Sequence, residues 1–297
     1  MEVIGDFFDA NAISILNGVA RGLLLFTMAV GLSLIFGLMD VLNLVHGAVF
    51  LLGAYIGFSL APSGSSTLAF VLALGVALVA GIVLGGGLAA TVRPLRGRGH
   101  LDQALLTLGL AFVLSDVISI IWGDDFRSLA PPPVLGGSVT VFGNAYPLYR
   151  LAVIVVGLVI AAAVYYAFER TDLGAVVRAA VSDRAMVSAL GINTNVVLIG
   201  VFATGSALAA FGGLVGAPVL GVRPGLDWDV LILALIVVVV GGLGSIPGAF
   251  LGALLIGQVQ ALGVALFPDI APFLLFGAMA AILLIRPQGL FGDVTAR

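Results

Sequence analysis

The chain of 297 residues has no cysteine, which excludes a disulfide, a thiolate nucleophile and a cysteine metal site. It has no lysine either, and its twelve basic residues are all arginine. A Walker A lysine and a Schiff base are therefore ruled out, and no glycine-rich phosphate loop is present. If ATP drives this protein, it is hydrolysed on another chain. Histidine occurs only at 46 and 100, in different kinds of segment and without an H-E-x-x-H motif, so no metal and no cofactor are expected. Charge is scarce as well: 9% of residues carry one, against about a quarter in a soluble domain. The slightly acidic balance says little about partners, and nothing suggests nucleic acid.

What fills the chain instead is hydrophobic residue, 61% of the total. Several runs reach the roughly 20 residues that one bilayer-crossing helix needs. The expected fold is an all-α integral membrane protein, a single transmembrane domain over 1–297. It should be a polytopic helical bundle of about eight transmembrane helices, some broken or re-entrant. Hydrophobic segments fall at about 12–38, 44–60, 67–91, 102–121, 148–168, 196–222, 229–243, 246–266 and 270–286. These use up the length and leave no room for a sizeable soluble domain. A cleaved signal peptide is not expected, because the N-terminus is acidic (Glu2, Asp6, Asp9) rather than basic.

Arginine sets the orientation, since basic residues accumulate in cytoplasmic loops. Arg93, Arg96, Arg98, Arg170, Arg178, Arg184, Arg286 and Arg297 fall on one side, while Arg127, Arg150 and Arg223 fall on the other and Arg21 lies within the first segment. The first group marks the cytoplasm, and the stretch with Trp122, Asp124, Asp125 and Pro131–Pro133 is then external. Segment 196–222 leads outward and 270–286 leads back, so residues 229–266 must cross twice or dip in and return. They are broken by Gly241–Gly248 (GGLGSIPG). Broken helices persist at membrane depth only where they line a cavity or are buried in protein.

A second interruption lies between Gly31 and Gly57, where Asp40, Asn43 and His46 sit in an otherwise apolar run. Both runs restart at a Gly-Ala pair, His46-Gly47-Ala48 and Pro247-Gly248-Ala249, which suggests an internal pseudo-repeat with a path at the repeat interface. The substrate-path candidates are therefore Asn43, His46, Gly47, Gly244, Ser245 and Pro247. Asn43 and His46 share a face if helical, and two readings stand for them: lining a path, or hydrogen-bonding neighbouring helices. Asp40 is expected at a solvated helix end. Arg21, four residues after Asn17, is expected to pair with Asp40 or Asp116 or to snorkel outward. Glycines spaced by four, such as Gly18/Gly22, Gly53/Gly57, Gly81/Gly85 and Gly212/Gly216, fit close helix packing within one bundle. The loop 169–195 alternates charged and small apolar residues. It fits a short amphipathic helix on the cytoplasmic face, free on one side to dock a partner.

At these residues the sequence resembles a known family. Asn43-Leu44-Val45-His46-Gly47 is similar to the N-F-A-H-G signature of LivH-type branched-chain amino-acid ABC permeases. The run 174–193 resembles their ATPase-docking loop, Gly241–Ala249 their G-G-I-G-S-I-P-G-A run, and Arg286–Gly292 their C-terminal R-P-x-G-L-x-G. The matches fall in order over about 250 residues. The resemblance implies an importer permease in the cytoplasmic (inner) membrane of a prokaryote, not an enzyme. Its partners would be two ABC ATPase subunits, a second permease subunit of the LivM type, an extracytoplasmic solute-binding protein and membrane lipid. On the docking loop it points to Gly174, Arg178, Asp183, Ala189 and Gly191. One departure is Ala48, where the family commonly carries Glu. The family also includes permeases for urea and short amides. The rival reading, a self-sufficient secondary transporter or channel, needs intramembrane carboxylates as proton or ion relays, for which Asp40 and Asp116 are the plausible candidates. A membrane enzyme, the third class, lacks a G-x-S-x-G elbow and paired intramembrane acids.

Overall fold

The computed structural model describes residues 2–39, 41–62, 65–95 and 99–292, with the side chains of 2–10, 38, 39, 181, 182 and 184 outside the description. Asp40, Arg96, Arg98 and Arg297 also lie outside the described residues. The chain is helical almost throughout: α1 (Glu2–Met39), α2 (His46–Leu60), α3 (Thr67–Val92), α4 (His100–Trp122), α5 (Leu148–Glu169), α6 (Asp172–Ser182), α7 (Arg184–Ala189), α8 (Thr194–Leu220), α9 (Leu226–Gly241), α10 (Ile246–Leu266) and α11 (Ala271–Ile285). Among the described residues, seven helical stretches are long and apolar enough to cross a bilayer. The shorter α2 and α9 each run alongside them.

Two helices form the centre. In the most apolar stretch of α1, 83% of residues are buried, against 11% for the stretch that contains α11. Helix α1 packs antiparallel along α10, and α8 packs antiparallel along α3. Glycine makes both seams close: a Cβ on Gly22 would strike the Ala253 carbonyl, and one on Gly81 or Gly85 would strike the backbone of α8 at Ser206 or Phe202. Where α1 and α8 cross, Gly31 and Gly205 meet backbone to backbone. Exposed Leu, Val, Ile and Phe on α3, α4, α5 and α11 face outward, as lipid contact requires.

The contacts reveal the repeat. Helices α1–α2–α3 correspond to α8–α9–α10, running in opposite directions: α1 lies on α10 as α8 lies on α3, and α2 lies on α3 as α9 lies on α10. The equivalence joins α2 to α9, so His46 at the head of α2 corresponds to the head of α9, not to Pro247 at the head of α10. The short likeness of His46-Gly47-Ala48 to Pro247-Gly248-Ala249 is not the repeat register.

Residues Gly241–Gly248 form the turn of an antiparallel α9–α10 hairpin. That turn sits at the end of the bundle where α1 finishes, because Gly244 packs on Gly37. The C-terminal segment joins it there: Leu290 N–H donates to Val240 O (2.8 Å) and Phe291 N–H to Gly241 O (3.0 Å). Arg93, Arg170, Arg178 and Arg286 belong to this same end. At the opposite end, residues 123–147 carry a small hairpin absent from the sequence expectation, β1 (Ser138–Val141) with β2 (Asn144–Pro147). Its turn places Phe142 and Gly143 at positive φ. The preceding loop is pinned by reciprocal backbone hydrogen bonds between Arg127 and Val222 and by Trp122 Nε1 donating to Ser59 Oγ (2.6 Å).

Candidate functional site

Helix α2 does not start at the surface. After α1 the chain is non-helical over 41–43 and turns into α2 at 44–45. It climbs beside α4, where Thr107 Oγ1 donates to Leu42 O (2.8 Å) and accepts from Leu44 N–H (3.3 Å). His46 then opens α2 against the middle of α1, with Nε2 3.1 Å from Met28 O. At 1.5 Å per residue, α2 spans about 22 Å, short of a full crossing, and the non-helical stretch before it supplies the rest.

This head of α2 is buried and polar. Asn43 and His46 are fully buried, and both side-chain atoms of Asn43, together with His46 Nδ1, have no hydrogen-bond partner. Gly47 lets the head of α9 approach: a Cβ there would strike the Asp227 carbonyl. Asp227, in the first turn of α9, is only 3% exposed. Its Oδ2 accepts from Ser115 Oγ on α4 at 2.6 Å, while Oδ1 is buried without a partner. Ser33 Oγ, Ser206 Oγ and Tyr55 Oη are also buried and unpartnered. Each such group costs roughly 1–3 kcal/mol if left unsatisfied. A carboxylate at a helix N-terminus gains from the helix dipole, but desolvation still makes this an expensive cluster.

Asp227 was not among the carboxylates expected within the membrane. It stands in Leu226-Asp227-Trp228-Asp229, which reads as an ordinary helix start at an interface. Only the packing of α9 on Gly47 and Ser115 buries it. Asp116 is exposed on α4, and Arg21 pairs with neither it nor any other carboxylate among the described residues. Ala48 is buried at 1% exposure, and a Glu in that position would add another charge to a packed wall.

The remaining path candidates lie elsewhere. Gly244, Ser245 and Pro247 form the α9–α10 turn at the arginine-rich end. Met28 touches His46 and Gly37 touches Gly244, so the two groups are separated along α1 by about 14 Å. Gly244 takes φ +79°, and Ser245 caps α10 by accepting from Gly248 N–H (3.0 Å). Pro247 fits the first turn of α10, where no N–H is needed.

Loop 169–195 folds as two short helices, α6 and α7, forming an elbow after α5. Gly174 lies so close to Phe168 that a Cβ would strike its carbonyl. Arg178 donates to that same carbonyl and pairs with Glu169 at 3.5 Å. Asp183 caps α7, accepting from Met186 N–H at 2.9 Å. Ala189 is exposed, and Gly191 ends the elbow at φ +85°. Leu173 (74% exposed), Met186 (60%) and Leu190 (71%) project from it. Among the described residues no group of three or more His, Asp or Glu side chains is placed to hold a metal ion.

The branched-chain amino acid transport system / permease component family matches residues 14–285. The high-affinity branched-chain amino acid transport system permease protein BraD of Pseudomonas aeruginosa is 30% identical, covering 94% of both chains. The corresponding permease protein LivH of Escherichia coli strain K12 is 28% identical over 93% of this chain and 94% of its own length. The ribose import permease protein RbsC of Haemophilus influenzae is 27% identical over 94% of this chain and 85% of its own. No solved structure matches. With seven long apolar helices and a family match over nearly its whole length, this multi-pass membrane protein is a transport subunit, not an enzyme, and belongs to the branched-chain amino acid transport system permease family.

Proposed function

We propose that this chain is a permease subunit of an ABC importer that moves branched-chain or other small amino acids across the cytoplasmic membrane, powered by separate ATPase subunits. The observation that carries the reading is the continuous likeness to BraD and LivH, which spans both interruptions and the elbow. The likeness to a ribose permease keeps the solute class open to test. A second permease subunit completes the path, and an extracytoplasmic binding protein delivers the solute.

The buried polar cluster supports this reading by its energetics. Unpartnered groups at Asn43, His46 and Asp227 are tolerable in a closed state if another state hydrates them or offers them a solute. In this scheme Asn43, His46 and Gly47 meet the path when α2 and α9 separate. Gly244, Ser245 and Pro247 form a rigid joint near its cytoplasmic exit. The elbow α6–α7 presents Leu173, Met186 and Leu190 to the ATPase, while Gly174, Arg178, Asp183 and Gly191 fix its pose. Ala189 belongs to the contact face.

The test is leucine uptake into proteoliposomes. Uptake should require ATP, both ATPases, the second permease and the binding protein. Uptake by this chain alone, driven by an ion gradient, would overturn the importer reading. Leu190→Asp should reduce ATPase co-purification without lowering the unfolding temperature of the permease. Unchanged co-purification would remove the elbow from the ATPase contact.

A further inference from the structure

Away from the buried cluster, a cavity of about 360 Å³ opens between α1, α5, α8 and α10 at the end opposite the arginine-rich one. Two guanidiniums line it, from Arg21 on α1 and Arg150 on α5. Among the described residues that line it there is no carboxylate. Arg150 is oriented by Asn17 Oδ1, which accepts from its Nη1, and Arg21 has neither an ion pair nor a hydrogen bond among the described residues. Arg21 is exposed and Arg150 half-buried, so water reaches this end of the cavity, and an anion bridging the two guanidiniums would relieve their mutual repulsion.

The rest of the lining narrows the class of anion. Ser14 and Gln260 are polar, and Gln260 Oε1 is buried without a hydrogen-bond partner. Val219, Leu220, Ala261 and Val264 form an aliphatic wall. Cation pair, lone carbonyl oxygen and aliphatic wall match three parts of one molecule: a carboxylate, an ammonium donor and a branched apolar side chain. A guanidinium is suited to a carboxylate because its planar fork meets both oxygens.

We propose that this cavity is an outer reception site for a small aliphatic amino acid, with Arg21 and Arg150 sharing its carboxylate and Gln260 accepting from its ammonium. The assignment of the solute rests on the importer reading, whereas the oxyanion site does not.

The experiment measures equilibrium binding of labelled leucine, isocaproate (leucine without its amino group) and leucinamide (leucine without its carboxylate). It uses the permease–ATPase complex in phosphatidylcholine nanodiscs, without binding protein. Arg21→Gln and Arg150→Gln should each weaken leucine and isocaproate by about tenfold and leave leucinamide unchanged. Gln260→Leu should weaken leucine but not isocaproate. Equal leucine affinity in the wild type and the Arg21→Gln/Arg150→Gln pair would overturn the site. So would phosphatidylglycerol that co-purifies with the wild type, is lost from the pair and blocks leucine, because the occupant is then a lipid phosphate. Leucine binding that appears only after Asp6→Asn and Asp9→Asn would also overturn it, the chain's own carboxylates being the occupants. If wild-type uptake of leucine fails while isocaproate binding still depends on both arginines, the importer reading falls and the oxyanion site stands.

Discussion

The interruption before α2 and the interruption between α9 and α10 look alike in sequence and differ in what they leave unsatisfied. At the second, Gly242 N–H reaches Val238 O, Ser245 N–H reaches Gly242 O, and the Ser245 side chain caps α10. The C-terminal segment adds two further backbone bonds. At the first, α2 starts without a side-chain cap, and the side chain of Asn43, three residues before His46, hydrogen-bonds nothing, although its carbonyl accepts from His46 N–H (3.3 Å). One break lies at the end of the bundle and is capped and tied to the C-terminal segment. The other lies against the middle of α1 and keeps side-chain polar atoms buried without protein partners. Depth, rather than glycine content, separates a joint from a site, because only at depth does an unpaired polar atom lack water.

The harshest test of the joint is Gly37→Val. A Cβ at Gly37 would land on the backbone of Gly244, where neither residue has a side chain to move aside. We expect a loss of about 3 kcal/mol, read as loss of monodisperse protein or a large drop in unfolding temperature in detergent. A well-folded Gly37→Val protein would show that the two ends are not rigidly joined, and the contrast would fail.

Asn43→Leu tests the other side, with two readouts that must move in opposite directions. Removing two buried unpartnered atoms should stabilise the closed state by about 1 kcal/mol, raising the unfolding temperature. The same change should lower uptake by about tenfold, because Asn43 would no longer offer the open path its amide. Lower stability with unchanged uptake would make Asn43 a packing residue. Ser245→Ala should show the reverse pattern at the joint. Loss of its cap costs about 1 kcal/mol, and uptake per folded molecule should be retained.

The sequence makes the frame around the two interruptions legible, but not the contrast between them. Hydrophobic run lengths located the helices, and the Gly-Pro cluster at 241–248 located the hairpin turn. Arginine positions separated the two ends, and the alternating loop 169–195 became the α6–α7 elbow. What escaped depends on tertiary placement. Asp227 is flanked by Trp228 and Asp229 and looks solvated until Gly47 admits it to the core. The correspondence of α2 with α9 carries almost no residue identity and is visible only in which helices touch. Arg21 was expected to find Asp40 or Asp116 or to snorkel outward; Asp40 lies outside the described residues, and Arg21 is exposed and faces Arg150 across a cavity, a meeting between residues 129 positions apart that no local pattern encodes. The hairpin at 138–147 consists of two four-residue strands, too short for alternation to announce itself.

The smallest effect probes whether the arginine-rich end is held by backbone packing throughout. Arg178 reaches the Phe168 carbonyl as well as Glu169, and its ion pair is open to solvent, with the two side chains 46% and 36% exposed. An exposed pair contributes little because water screens it and both side chains lose freedom. Glu169→Gln should therefore leave the unfolding temperature nearly unchanged and ATPase co-purification intact, with the elbow still held by Gly174 against Phe168 and by Arg178 on the same carbonyl. Gly174→Ala should be the worse substitution, although it changes no charge, because its methyl meets a backbone carbonyl. If Glu169→Gln proves the more damaging of the two, the elbow is an electrostatic latch. The arginine-rich end would then be divided between a backbone joint at Gly244 and a salt-sensitive hinge at Arg178, and ATPase co-purification would fall with rising ionic strength.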